Sequence, residues 1–545
     1  MHLKGLPASP GFASGRIARL TRHQVAIPDQ LIEPGEIEVE CARFLAGRKA
    51  YEEHLVGLLA ESRKRGDNEE ADVIDGHLEL LLDEELESEV LGSIREELRA
   101  AEKAVALVLD GIISEMGSLE DQYARERVGD FRDLRQKLIS GIAGKPFGAG
   151  VDLKEPSILV GHDLSPSDTA SLDKSLLLGI ISEIGGVTSH VAIISQSLGI
   201  PAVVAMKGAM EHLADGDEVL LDGSEGIAIK DPSPAEIDTH IRKAAEYEKE
   251  LALLDSLKDV AAVTKDGVPV KLYANVGSEQ DVDVALRQGA AGIGLFRTEF
   301  LFMERSSFPS EDDQFKVYRK VAGKMNGKSV IIRTLDAGGD KPLPYFPFPK
   351  EENPFLGWRA IRIYAEHPEI LRTQLRAILR ASHYGKLKIM FPMIISVEET
   401  VRLMQTLQEV KEELREKNIP FDPGLETGIM VETPAAVMMA PELIELVDFF
   451  SVGSNDLTQY TLAVDRGNEK IAALYDHMHP AVLRQIQMVV EASHARGKWT
   501  GVCGELAGDE RATALLLAMG VDELSMSPNK IQKIKQVVLQ CSRRA

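Results

Sequence analysis

The stretch Gly185-Gly186-Val187-Thr188-Ser189-His190 sets a histidine after two glycines and two hydroxyl residues. Glycines allow a tight turn and a close approach of the backbone to a bulky group. The apolar run that follows, through Leu198, reads as a helix, which puts His190 near a helix N-terminus. Unpaired backbone N–H groups at such an end favour a phosphate. A neutral imidazole is a good nucleophile near neutral pH and holds a phosphoryl group without a metal. A lone histidine beside glycines is more often a packed or capping residue, so the motif alone leaves both readings open.

A second set of chemically able residues lies farther along. Arg297 and Arg333 carry planar forks that match phosphate or carboxylate oxygens, and Arg466, in Asp465-Arg466-Gly467-Asn468, offers a third. Two separated carboxylates, Glu432 and Asp456, suit Mg2+, which takes one or two protein carboxylates and completes its shell with substrate oxygens and water. Cationic side chains together with Mg2+ describe a site for a small, highly anionic phosphorylated molecule. Cys503 fits a proton donor and a packed thiol equally well.

The elements that position these residues are legible in the pattern. Candidate strands at Val270–Val276, Gly292–Thr298, Ser329–Leu335, Leu387–Pro392, Thr427–Val431, Asp448–Val452, Trp499–Cys503 and Glu523–Met526 alternate with helices. About eight such units in one domain predict a (β/α)8 barrel, in which strand C-terminal ends share one mouth. Arg297, Arg333, Glu432, the Asn455-Asp456 pair and Cys503 all fall at expected strand ends. One such residue alone would read as a surface or salt-bridging group, but coincidence at several strand ends tells against that.

Ahead of the barrel, Ala8 to Leu20 reads as a turn and a strand. Short strands at Ser157–Val160, Leu177–Ile181, Ala202–Ala205 and Glu218–Asp222 predict a small α/β domain with His190 on a strand-to-helix junction. Between about Glu33 and Gly144 the texture is charged and Leu-rich with helical spacing, as in Leu78, Leu81, Leu82, Leu86, Val90 and Leu91, which predicts an inserted all-helical subdomain. The expected organisation is multidomain α/β. Residues 1–20 and 145–230 form a swivelling domain, 21–144 its helical insert, 231–260 a linker helix and 261–545 the barrel. Coupling His190 to the barrel mouth requires the smaller domain to swing.

A chain of 545 residues exceeds one compact core. A net charge of −24 argues against nucleic acid and anionic membrane and allows a basic protein partner. No apolar run approaches a membrane span, and the start Met1-His2-Leu3-Lys4-Gly5 lacks a signal-peptide core. Cys41, Cys503 and Cys541 make neither a disulfide framework nor a metal-ligand spacing, so a reducing cytoplasm is expected.

Several stretches resemble Enzyme I of the bacterial phosphoenolpyruvate-dependent sugar phosphotransferase system. They are Pro7-Ala8-Ser9-Pro10-Gly11, Gly292-Ile293-Gly294-Leu295-Phe296-Arg297-Thr298-Glu299-Phe300-Leu301, Gly338-Gly339-Asp340-Lys341, Glu351 to Arg359, Val431-Glu432-Thr433-Pro434, Ser454-Asn455-Asp456-Leu457-Thr458-Gln459-Tyr460 and Cys503 to Asp509. The resemblance implies that His190 is the phosphorylated histidine and that Glu432 and Asp456 are the Mg2+ ligands. It implies that Arg297 and Arg333 grip the phosphoryl group, with Asn455 and Arg466 completing the phosphoenolpyruvate site and Arg359 supporting its charge network. Cys503 becomes the acid that protonates the enol carbon, and Thr169 the threonine that hydrogen-bonds the active histidine. The helical insert, with Gly76-His77-Leu78 and Asp130-Phe131-Arg132-Asp133, matches the docking domain for the phosphocarrier HPr, and the family is a homodimer through its barrels.

Two departures stand out: Val187 and Gln196 occupy positions where the family commonly has longer or basic residues. The chain also stops at Ala545, short of where many members end, so a C-terminal segment packed on the barrel is expected to be missing. Pyruvate phosphate dikinase and phosphoenolpyruvate synthase share the histidine motif and a related barrel. They need a large ATP-binding domain, which the helical insert is too small to supply. A nitrogen-regulatory form would carry an added N-terminal sensory domain, and a catalytically silent scaffold would lack the reactive residues.

Overall fold

The computed structural model describes residues 1–20, 25–65, 68–118, 122–147, 153–164, 168, 172–186, 189–303, 305, 307–339, 341, 343, 345–468 and 470–543. Thr169 and Val187 lie outside the described residues. The chain forms two compact units, Met1–Lys249 and Glu250–Ala545.

The first unit is built on one mixed sheet. Its strands are β1 (His2–Lys4), β2 (Leu6–Ser9), β3 (Phe12–Arg19), β4 (Ser157–Gly161), β5 (Leu177–Ser182), β6 (Ala202–Val204), β7 (Glu218–Asp222) and β8 (Ile227–Lys230). They lie in the order β1-β8-β7-β3-β4-β5-β6-β2. β4, buried throughout, and β5, buried at all but Leu178, run parallel at the centre, as near-continuous apolar strands should. Apolar clusters cover both faces, one around Ile158, Val160 and Val203 and the other around Leu159, Ile180 and Ala192.

Between β3 and β4 come the helices α1 (Ile37–Arg65), α2 (Asn68–Leu81), α3 (Glu84–Glu96), α4 (Ala101–Ser118) and α5 (Gln122–Ile142). They bury Phe44, Tyr51, Leu81, Ile94, Val105 and Leu138 in a core of their own. The edge strands β1 and β2, and β8 beside β1, go beyond the elements legible in the sequence. Their three or four residues carry no pattern, and pairing of β1 with β8 and of β2 with β6 is what makes them strands.

The helix Pro234–Ser256 spans the division between the units. Its first half belongs to the sheet unit: Glu236 pairs with His2 at 2.6 Å, and the His240 and Tyr247 rings meet Phe12 edge-on. Its last turn belongs to the other unit. Leu254 is buried, and the Lys535 ammonium donates to the carbonyls of Leu257 (3.0 Å) and Lys258 (2.8 Å), satisfying groups that a helix end leaves unpaired.

The second unit is a closed parallel barrel of β9 (Lys271–Val276), β10 (Gly292–Phe296), β11 (Val330–Arg333), β12 (Leu387–Phe391), β13 (Thr427–Val431), β14 (Phe449–Gly453), β15 (Trp499–Cys503) and β16 (Glu523–Met526). Each falls on an expected strand, within a residue or two at its ends. Helices after strands start on serine capping boxes, Ser278 with Asp281, Ser310 with Asp313 and Ser396 with Glu399, which satisfy two orphan donors each time. Leu295, Ile331, Met390, Met430 and Phe449 fill the interior, and a larger apolar layer seals strands to helices.

One interior carboxyl is unusual. Burial pushes Glu523 up to about 8, against the pull of Lys388 and Lys271. Its folded value lies above the unfolded one, so this contribution to stability is full below the ordinary glutamate range and is lost as pH rises through about 8. The barrel's thermal midpoint is therefore expected to fall from acid toward mildly alkaline pH. Glu523→Gln, which mimics the neutral acid, should flatten that slope; an unchanged slope in thermal unfolding across this range would refute the assignment.

Candidate active site

The C-terminal strand ends open into a cavity of about 380 Å3 lined by Arg297, Arg333, Lys341, Glu432, Asn455, Asp456, Arg466, Cys503 and Glu505, among others. Arg297 follows β10 directly, and its N–H donates to Val276 O at 2.8 Å, continuing the ladder one residue past the strand. Arg333 ends β11, 5% exposed; its guanidinium meets Glu299 at 2.7 Å and Asp336 at 3.1 Å. Thr298 donates to the Arg333 carbonyl at 3.0 Å and is itself held by Gln374 at 3.2 Å, so the strand end is fixed from behind.

Arg359 approaches from the loop after β11 and is 1% exposed. It donates to both oxygens of Asp336 at 2.9 Å, reaches Asp456 at 3.4 Å and donates to the Tyr460 hydroxyl at 3.2 Å. Asp336, wholly buried, is raised by burial, yet Lys341, Arg333 and Arg359 bring it well below the usual carboxylate range. This network is charge-dense, dry and nearly balanced within itself.

Glu432 follows β13, and its Oε1 accepts from the Met393 N–H at 2.6 Å. Burial first, then Asp456 and Asp336, push it up to about 8 despite Arg333 and Arg359. Asn455 and Asp456 sit in the first turn of the helix Ser454–Leu462, directly after β14. Asn455 Oδ1 accepts from the Glu505 N–H at 2.9 Å. Among the described residues, Asp456 Oδ1 is buried without a hydrogen bond and has a 3.3 Å ion-pair contact with Arg466. Two buried carboxylates facing one cavity, one with an orphaned oxygen, are a donor set suited to a hard divalent cation. No group of three or more His, Cys, Asp or Glu placed to hold a metal ion occurs among the described residues, so substrate and water would have to complete such a shell. Cys503 ends β15, is 2% exposed, and donates to Val452 O at 3.4 Å. Burial pushes its thiol up to about 11.

His190 is elsewhere, in the first unit, as the opening residue of the helix His190–Leu198. Ser189 precedes it in extended conformation, and Gly185 takes φ +104°, the turn the glycines predict. Gln196, one of the two departures, donates to Ala8 O at 2.7 Å and ties this helix to β2.

The chain matches three domains of PEP-utilising enzymes: the PEP-binding domain over residues 252–543, the mobile domain over 153–226 and the N-terminal domain over 4–127. A Haemophilus influenzae protein named phosphoenolpyruvate-protein phosphotransferase is 47% identical over 536 residues, covering 98% of this chain and 93% of that protein. The chain belongs to this phosphotransferase family. A Buchnera aphidicola (subsp. Acyrthosiphon pisum) protein of the same name is 44% identical and covers 99% of this chain and 95% of its own length. An NMR solution structure of an Enzyme I protein is 36% identical, covering 45% of this chain and 99% of that one with a TM-score of 0.40.

In this family member the structure adds Glu299, Asp336, Lys341 and Tyr460 to the residues singled out by sequence. Glu299 and Lys341 stand inside the matching stretches beside residues that drew attention first. Asp336 follows Arg333 by three, a spacing with no meaning until Arg359 arrives from a distant loop. Gly453, at the end of β14, is a close approach: a Cβ there would meet Glu432 Oε2 at 2.6 Å and Glu432 Cβ at 2.8 Å. Gly453→Ala is expected to shift the Glu432 carboxylate and lower activity by about 10–100-fold with the fold intact. Steady-state rates near wild type, with unfolding unchanged, would refute that.

Proposed function

We propose that this chain transfers the phosphoryl group of phosphoenolpyruvate to His190 and then to a histidine of the phosphocarrier HPr, in the cytoplasm, as the first step of sugar uptake by the phosphotransferase system. The observation that carries the reading is the barrel cavity itself, where four cations and two buried carboxylates face one small volume. Arg297 and Arg333 grip the phosphoryl oxygens, while Asn455 and Arg466 hold the rest of the substrate. Arg359 keeps Asp456 and Asp336 in place. Glu432 and Asp456 would hold Mg2+, which when bound offsets the negative charge of the phosphoryl group.

The imidazole Nε2 of His190 attacks phosphorus in line, the bond from phosphorus to the enol oxygen breaks, and the electron pair returns through the enolate. Cys503 gives its proton to the enol carbon, and pyruvate leaves. A thiol held near 11 keeps its proton at neutral pH, which suits a donor to carbon. Cys503→Ala should slow turnover far more than it weakens substrate binding, and unchanged turnover would remove the thiol from the chemistry. Thr169 orients the His190 imidazole, and the helical insert α1–α5 is the HPr-docking surface.

The two transfers require His190 of the first unit to reach the cavity and then HPr. The barrel presents an apolar groove of about 520 Å3 with Phe355, Ile395 and Val464 on its walls and Leu356, 64% exposed, at its edge. A second barrel is its occupant in a homodimer. Leu356→Lys is expected to shift sedimentation toward monomer; an unaltered dimer would place the interface elsewhere. The decisive test of the activity is labelled phosphoenolpyruvate with Mg2+: acid-labile, base-stable phosphate on His190 that leaves on adding HPr supports the reading, and its absence sinks it.

A further inference from the structure

Asn455 lines the barrel cavity and is held from two sides. Its Oδ1 accepts from the Glu505 N–H at 2.9 Å, and its backbone carbonyl accepts from the Tyr475 hydroxyl at 3.1 Å. Glu505 opens the turn Glu505–Gly508 that follows β15, and Tyr475 lies beyond the helix Ser454–Leu462. Two residues past Tyr475, His477 Nε2 meets Asp509 Oδ2 at 3.0 Å, and Asp509 closes the turn that Glu505 opens.

These contacts make a closed ring. It runs from Asn455 to Tyr475, on to His477, across to Asp509, back along the turn to Glu505 and so to Asn455 again. Its Glu505 side fits tightly: Gly504 takes φ +100°, and a Cβ there would meet Asn455 Oδ1 at 2.8 Å. Segments that join barrel elements are more mobile than the strands, so a side chain that must meet substrate there needs ties of this kind. The ring also decides which end of the Asn455 amide is available. Oδ1 is committed to Glu505, which leaves Nδ2 as the donor for an anion.

The link that closes the ring is the His477–Asp509 contact. The Asp509 side chain is 13% exposed, and Arg511 first, then His477, hold its carboxyl well below the usual carboxylate range against burial. Arg511 stands only two residues from Asp509 and is 77% exposed, so it joins no distant segment. His477 does. We propose that His477 and Asp509 are positioning residues for substrate binding: they clasp the Tyr475 segment to the turn after β15 and so hold Asn455 with its Nδ2 presented to phosphoenolpyruvate. The inference rests on the substrate role proposed above for Asn455.

The test compares full-length wild type with His477→Phe, His477→Gln, Asp509→Ser and Asn455→Ala, and with His477→Phe combined with each of the last two. Phenylalanine keeps a ring and removes the donor, while glutamine sets an amide nitrogen near the place of Nε2. Asp509 also caps the helix Glu510–Ala518 by accepting from the Arg511 N–H at 2.9 Å. Serine retains a cap there but falls short of His477, so it breaks the clasp from the other side should phenylalanine disturb the fold. Thermal unfolding of each variant shows which are folded. The readouts are KM and kcat for phosphoenolpyruvate and the side-chain 15N–1H signals of Asn455, identified by their loss in Asn455→Ala. His477→Phe and Asp509→Ser are each expected to raise KM by about tenfold, with kcat lowered by less than about threefold. Their combination should cost no more than either alone, and His477→Gln should recover most of the loss. In the Asn455→Ala background His477→Phe should cost less than about twofold, because the residue it acts through is gone. The Asn455 signals should shift in His477→Phe without any ligand present. Full additivity of His477→Phe with Asn455→Ala, or wild-type KM with unmoved Asn455 signals in folded variants, overturns the proposal. If wild type does not turn over phosphoenolpyruvate, the functional reading fails, and the Asn455 signals of the free protein still decide whether the clasp orients the amide.

Discussion

Replacing His190 by alanine is expected to abolish phosphoryl acceptance entirely while leaving Mg2+-dependent binding of phosphoenolpyruvate nearly unchanged. The two outcomes separate because the histidine and the cavity belong to different units of the chain. The cavity's cations, Arg297, Arg333, Lys341 and Arg466, are positioned by strand ends and loops of the barrel alone. A neutral small side chain at 190 removes the proposed nucleophile without touching them. Calorimetric titration of the variant with phosphoenolpyruvate and Mg2+, beside a phosphorylation assay, measures both. A lost binding signal would mean that the histidine helps form the substrate site, contrary to the two-site picture.

Arg359→Met is expected to be the most damaging change within the barrel, lowering both stability and turnover. Arg359 donates to both oxygens of the wholly buried Asp336 and touches Asp456 and Tyr460. Methionine matches much of its length but leaves Asp336 short of a partner in a dry interior. Removing one member of a buried pair costs about 3–5 kcal/mol, and the lower end applies because Arg333 and Lys341 still face Asp336. Turnover should drop by about 1,000-fold or more, since a loosened Asp456 frees both the proposed metal ligand and the Arg466 contact. Arg359→Lys separates charge from shape: it keeps the cation, loses the two-pronged fork, and should recover stability better than rate. Urea unfolding of the barrel and steady-state kinetics check the pair. A variant within about tenfold of wild-type turnover would demote the network to packing.

The Gln196 departure has a modest structural meaning. Its amide serves a backbone carbonyl of β2, Ala8 O, which makes it a brace for the helix that begins at His190.

Much of this protein was determined locally by its chain. The eight barrel strands are recognisable because apolar runs, serine starts of helices and turn residues are properties of neighbours in sequence. The proposed site residues were legible for the same reason, since Arg297, Arg333, Glu432, Asp456 and Cys503 each stand at or just past the end of such a run. Tertiary structure alone decided the rest. The edge strands β1 and β2 exist only through partners about 200 residues away. Asp336 gains its role only when Arg359 folds back onto it, and Lys137 meets Asp168 only when the insert closes on the sheet. A buried charge is specified by what surrounds it in three dimensions, and its partners leave no period or spacing along the chain.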